Sequence, residues 1–108
     1  MTLRVLVVED DREIRSVIQS ALAVEGFEVM TAVSLNEAGA ILRHSAPDVV
    51  LLDLGLPDGD GAELVLEVRQ RSNLPIIIVS ARDQEAQKIR LLDEGADDYL
   101  SKPFSIGE

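Results

Sequence analysis

The chain has 108 residues, enough for one domain with a single core. Its apolar fraction of 46% suits a globular protein, but aromatics are only 3% (Phe27, Tyr99 and Phe104), so the core must be aliphatic and the stacking platforms of single-strand nucleic-acid binders are missing. A formal charge of −10 opposes bulk electrostatic binding to phosphate backbones, and the absence of cysteine excludes disulfides, thiolate metal sites and a cysteine nucleophile. The start, Met1-Thr2-Leu3-Arg4, does not read as a signal peptide, and no apolar run nears the ~20 residues of a membrane span. A cytoplasmic setting with no membrane partner is therefore expected.

In chain order, residues 3–8 are apolar except Arg4 and rich in valine, which reads as a buried strand. Asp10 and Asp11 offer helix-start chemistry, and Ile14, Val17, Ile18, Ala21 and Leu22 follow at helical spacing as the expected inner face. Gly26 is placed to stop that helix. Residues 27–32 read as a second strand. Ser34-Leu35-Asn36-Glu37 has the form of a capping box, with Ala38, Ile41 and Leu42 facing inward behind it. Residues 49–52 are uninterruptedly apolar and end at Asp53, the pattern of a central strand. Gly55, Pro57, Gly59 and Gly61 mark a loop, and Leu64, Val65 and Val68 form a third helical face. Residues 75–79 read as a fourth strand with Pro75 at its first position, residues 83–94 as a fourth helix closed by Gly95, and residues 97–100 as a short fifth strand. The alternation βαβαβαβαβ predicts an α/β fold with a parallel sheet covered on both faces.

In open α/β sheets the functional crevice lies beyond the carboxyl ends of the strands. Strand one ends in Glu9-Asp10-Asp11, strand three in Asp53, strand four in Ser80-Ala81 and strand five in Ser101-Lys102-Pro103. Carboxylates, a hydroxyl and an ammonium thus converge on one edge. Clustered carboxylates repel unless protons or a cation intervene, and oxygen-only ligands suit Mg²⁺. Lys102 and Ser80 could cradle phosphoryl oxygens, and an aspartate can attack phosphorus to form an aspartyl phosphate.

Taken one at a time, these residues have plainer readings. Glu9, Asp10 and Asp11 could cap a helix, Asp53 could begin a turn, Ser80 could be a loop hydroxyl, Lys102 a solvated lysine and Tyr99 a core aromatic. Asp11 reads mainly as a cap. His44, late in the second helix, reads as a surface residue and not a ligand. None of these readings explains why the functional types fall together at strand ends.

Four segments together, Val7-Val8-Glu9-Asp10-Asp11, Leu51-Leu52-Asp53-Leu54-Gly55-Leu56-Pro57-Asp58-Gly59-Asp60-Gly61, Val79-Ser80-Ala81-Arg82 and Gly95-Ala96-Asp97-Asp98-Tyr99-Leu100-Ser101-Lys102-Pro103-Phe104, resemble a response-regulator receiver domain of the winged-helix transcription-factor class. The resemblance covers the whole chain. It implies a doubly wound, five-stranded (βα)5 sheet of the flavodoxin-like, CheY-like kind with strand order 2-1-3-4-5. It implies a signalling switch, not an enzyme with turnover on a separate substrate. Asp53 would take a phosphoryl group from a sensor histidine kinase. Asp10, Asp53 and the Gly55 carbonyl would ligate Mg²⁺, with Glu9 acting through a coordinated water. Lys102 and Ser80 would contact the phosphoryl group, and Ser80 and Tyr99 would move together in the switch.

The resemblance also implies a homodimer face on the fourth helix, fifth strand and fifth helix. Ile89 and Leu92 would be its exposed apolar patch, Lys88, Asp93, Asp97 and Asp98 its charged surroundings, and Lys88 would pair across the dimer with an acid at Glu108. Helical periodicity alone favours the plainer reading, in which Ile89 and Leu92 belong to one wide core face. Residues 1–108 are expected to form the receiver domain, truncated at the start of its fifth helix, with DNA binding left to a C-terminal domain of the intact protein. Non-standard association or reduced stability is expected of the shortened chain. Against a phosphatase with an aspartyl intermediate, Asp53 is followed by Leu54-Gly55, so no second acid stands two residues on. A flavin-binding module would need a phosphate loop where Glu9, Asp10 and Asp11 stand, and an interaction domain without the chemistry would not need the full polar set.

Overall fold

A computed structural model describes residues 2–53, 61–81 and 98–102. The elements run β1 (Arg4–Val8), α1 (Arg12–Val24), β2 (Glu28–Ala32), α2 (Leu35–His44), β3 (Val49–Asp53), α3 (Gly61–Arg71), β4 (Ile76–Ala81) and β5 (Asp98–Lys102). All strand pairs are parallel, in the order β2-β1-β3-β4, with β5 on the far side of β4. The order 2-1-3-4 is the one implied by the resemblance.

The apolar runs become strands buried on both faces because each alternate residue meets a different helical layer. Leu6, Val8, Val50, Leu52, Ile76 and Ile78 point to one face, where Ala38 of α2 and Leu64, Val65 and Val68 of α3 complete a core. Val5 and Val7 point to the other face, against Ile18 of α1, with Ile14, Leu22, Phe27 and Leu51 packed around them. The inner faces expected for α2 and α3 are thus observed. The face expected for α1 needs one correction: Val17 is 57% exposed, whereas its neighbour Ile18 is 2% exposed. One helical step is about 100°, which here carries Val17 past the edge of the buried stripe and leaves Ile18 against the sheet.

Helix ends follow the local chemistry. Asp11 is the N-cap of α1, its Oδ1 accepting the amides of Glu13 at 2.9 Å and Ile14 at 3.1 Å. Ser34 caps α2, its Oγ accepting the amide of Glu37 at 3.1 Å. At the other end of α1 the Phe27 amide donates to the Leu22 carbonyl and the Gly26 amide to that of Ala23. This 6→1 and 5→2 pair requires a left-handed residue, and Gly26 supplies it at φ 93°.

Several strand limits differ from expectation. Leu3 and Phe27 fall just outside β1 and β2, and β4 begins after Pro75, whose lack of an amide proton does not stop its carbonyl from accepting the Val50 amide at 2.9 Å. At the carboxyl edge β4 continues through Ser80 and Ala81, and β5 spans Asp98–Lys102, later than residues 97–100. Polar residues there stay in the ladder because the opposite strand supplies backbone partners whatever the side chain. The expected fourth helix at 83–94, the start of a fifth helix at 105–108, and Gly55, Lys88, Ile89, Leu92, Asp93, Asp97 and Glu108 lie outside the described residues.

Candidate functional site

The parallel register carries the chemistry to one edge. Val8 pairs with Leu52, so the next residue on each central strand, Glu9 and Asp53, arrives at the same level. Asp53 pairs with Val79, and the following pairs are Ser80 with Ser101 and Ala81 with Lys102. The backbone positions of Ser80 and Lys102 therefore lie one and two steps beyond the Asp53 level. Tyr99 pairs with Ile78 and Asp98 with Ile77, further back along the sheet.

Glu9, Asp10 and Asp53 each bring a carboxylate oxygen to within 4.8 Å of the others. Glu9 is 1% exposed and Asp53 4% exposed, whereas Asp10 faces solvent. Two unit charges about 4 Å apart repel by about 4 kcal/mol at an effective dielectric constant near 20. A group of this kind favours a bound cation, and its donors are all carboxylate oxygens, the set preferred by hard divalent ions. The exposed side, at Asp10, leaves an approach from solvent. On donor chemistry the three acids fit Mg²⁺.

The turn that bears two of these acids is tied down by hydrogen bonds. The Glu9 amide donates to the Ala32 carbonyl at 3.0 Å, extending the β1–β2 pairing by one residue. Glu9 Oε2 accepts the Asp11 amide at 3.1 Å. Arg15 Nη1 donates to the carbonyl of Glu9 at 3.0 Å and to that of Asp10 at 3.4 Å. Arg15 was not singled out from the sequence. The usable signal was its position four residues after the cap at Asp11, because helical side chains lean toward the N-terminus and a long one there lies over the preceding turn.

Asp11 is the cap, as expected, and does not join the acid cluster. His44 is exposed in the last turn of α2, also as expected. A separate cavity of about 420 Å³, between α2 and α3 at the amino ends of the strands, is lined by Leu42, Leu64, Val68 and Leu74 among others and contains none of the three clustered acids. Among the described residues no helix is long and apolar enough to cross a membrane.

A doubly covered parallel sheet with a carboxylate group at the ends of β1 and β3 defines a class, and the sequence match agrees with it. Residues 5–108 match the response regulator receiver domain, and the chain belongs to that family. Receiver domains act as signalling switches in two-component systems, not as classical enzymes. Among individual proteins, the chain is 50% identical over 104 residues to the KDP operon transcriptional regulatory protein KdpE of Escherichia coli, covering 96% of this chain and 46% of the relative. It is 44% identical to the transcriptional regulatory protein KdpE of Staphylococcus aureus, over 100% of this chain and 47% of the relative. The chain thus spans about half the length of these curated relatives. A solved putative response regulator from Chloroflexus aurantiacus superposes with a TM-score of 0.91 at 34% identity, covering 97% of this chain and 88% of that one.

Proposed function

We propose that this chain is the phosphoacceptor domain of a KdpE-type transcriptional regulator, taking a phosphoryl group from a sensor histidine kinase onto Asp53. The observation that carries the reading is the meeting of Asp53 with Glu9 and Asp10 at the carboxyl edge of the two central strands. A carboxylate oxygen of Asp53 attacks phosphorus; the new O–P bond forms as the P–N bond to the kinase imidazole breaks, the ring nitrogen keeping the electron pair. Asp10, Asp53 and the Gly55 carbonyl would hold Mg²⁺, with Glu9 behind them. When bound, the ion supplies positive charge against the carboxylates and the phosphoryl oxygens. Lys102 adds a further positive charge toward the phosphoryl group, and Ser80 a hydroxyl donor.

Phosphorylation adds about two negative charges to an edge already rich in acids. The response is a shift between pre-existing conformations in which Ser80 moves toward the phosphoryl oxygens and Tyr99 follows. Residues 1–108 serve as the receiver, and a C-terminal domain of the intact protein binds DNA. Homodimerisation of the intact regulator uses Lys88, Ile89, Leu92, Asp93, Asp97, Asp98 and Glu108. The output is transcription of a KDP operon, that is, of potassium-transport genes, in the cytoplasm.

The test is Mg²⁺-dependent labelling of the chain with a small phosphodonor, followed by intact mass. One added phosphoryl group on wild type and none on Asp53→Asn is the expected result. Stable labelling of the Asn variant at the wild-type level would refute the assignment.

A further inference from the structure

Arg15 stands at the fourth helical position of α1, and its guanidinium reaches back over the turn that precedes the helix, where two carbonyls accept its bonds. Successive carbonyls of an extended strand point to opposite sides. Those of Glu9 and Asp10 instead converge on one Nη1, at 3.0 and 3.4 Å, so the arginine bonds only a chain that has already turned there. That turned form is the one that brings the Glu9 and Asp10 carboxylates beside Asp53. Arg15 itself is half-buried, and its shorter bond, to the Glu9 carbonyl, is partly shielded from water, while the bond to the Asp10 carbonyl is exposed.

We propose that Arg15 is a positioning residue for the cation site: by clasping the Glu9 and Asp10 carbonyls it pre-forms the β1–α1 turn and so raises the affinity of the acid group for Mg²⁺. It acts through the backbone of the residues that bear the carboxylates. The proposal rests on the metal-binding part of the proposed function.

The experiment measures Mg²⁺ affinity of the 108-residue chain by titration calorimetry, with backbone amide exchange at Asp10 and Asp11 read alongside, for wild type, Arg15→Ala, Arg15→Lys and Arg12→Ala. Partners behind metal ligands commonly change affinity by tenfold or more, so Arg15→Ala is expected to bind Mg²⁺ about tenfold more weakly, with faster exchange at both amides. Arg15→Lys keeps the charge but not the planar fork, and should recover part of the loss. Arg12→Ala removes an equal charge from an exposed neighbour, and screening should hold its effect to about twofold.

Wild-type affinity in Arg15→Ala, while wild type itself binds Mg²⁺, overturns the role of Arg15 alone. An equal loss in Arg12→Ala also overturns it, since charge and not the clasp would then be responsible. Failure of wild type to bind Mg²⁺ overturns the metal reading and this inference together. Should Arg15→Ala not fold, a folded Arg15→Lys with unchanged affinity and unchanged exchange overturns the clasp.

Discussion

Asp53 is the register partner of Val79, and this backbone pairing holds the buried carboxylate at the edge of the sheet next to Glu9 and Asp10. The position of its backbone is therefore set by the ladder. Replacing the carboxylate by an amide of the same shape should leave the fold intact and relieve repulsion from its neighbours. For Asp53→Asn without divalent ions, a rise in thermal midpoint of about 4 °C is expected, equivalent to about 1 kcal/mol in a domain of this size. Added Mg²⁺ at a hundred times its dissociation constant should stabilise wild type by about 2.7 kcal/mol, and the Asn variant by much less. Thermal melts with and without Mg²⁺ check both halves; a lower midpoint for the metal-free variant would mean that the carboxylate is held by favourable contacts that outweigh repulsion.

Much of this arrangement is legible in the residues. Valine-rich runs at 5–8 and 49–52, alternating with helical stretches, suit strands of a parallel sheet covered on both faces, and the parallel pairing brings Glu9 and Asp53 to one edge. What stays hidden is whatever depends on rotation within an element or on contacts between backbone and distant side chains. Val17 and Ile18 are both apolar and adjacent, so periodicity accepts either as core. Arg15 looks like any helical cation until the turn it covers is built. The carboxyl ends of β4 and β5 run two residues past the apolar pattern, to Ala81 and Lys102, because polar residues such as Ser80 and Ser101 suggest loops while the ladder needs only amides and carbonyls.

The contrast between Val17 and Ile18 gives a direct check on α1. Ile18 fills the space against Val5 and Val7. Truncation there leaves a cavity, and Ile18→Ala should cost about 2–4 kcal/mol. Val17→Ser lies on the exposed side of the same helix and should change stability by no more than about 0.5 kcal/mol. Urea unfolding midpoints, compared at equal m-values, measure the difference; equal losses for the two variants would show that α1 is rotated from the orientation described.

Gly26 tests the helix stop independently of any side-chain contact. A Cβ added there meets nothing within 4 Å, so a substitution carries no clash. The whole cost then comes from holding an L-residue at φ 93°. Gly26→Ala should destabilise by about 1–2 kcal/mol, the usual penalty of a left-handed backbone. Gly26→Asn should cost less, because asparagine tolerates that region better. A stabilised Ala variant, read from the same denaturation curves, would show that the chain leaves α1 by another route.

Asp10 and Asp11 are adjacent acids with different work to do, and neutral substitutions separate them. Asp11 Oδ1 serves the amides of Glu13 and Ile14, and Asn can accept those bonds as well as Asp. Asp11→Asn should therefore be close to neutral in stability, while Asp11→Ala loses the cap and about 1 kcal/mol. Neither removes a member of the acid group, since Glu9, Asp10 and Asp53 remain. Asp10→Asn removes one of its three carboxylates and should weaken Mg²⁺ binding by about tenfold or more, against about twofold for Asp11→Asn, whose exposed charge acts only through screened solvent. The order of the two affinities, measured on the same chain by titration calorimetry, decides the assignment: a larger loss for Asp11→Asn would exchange the roles of cap and ligand.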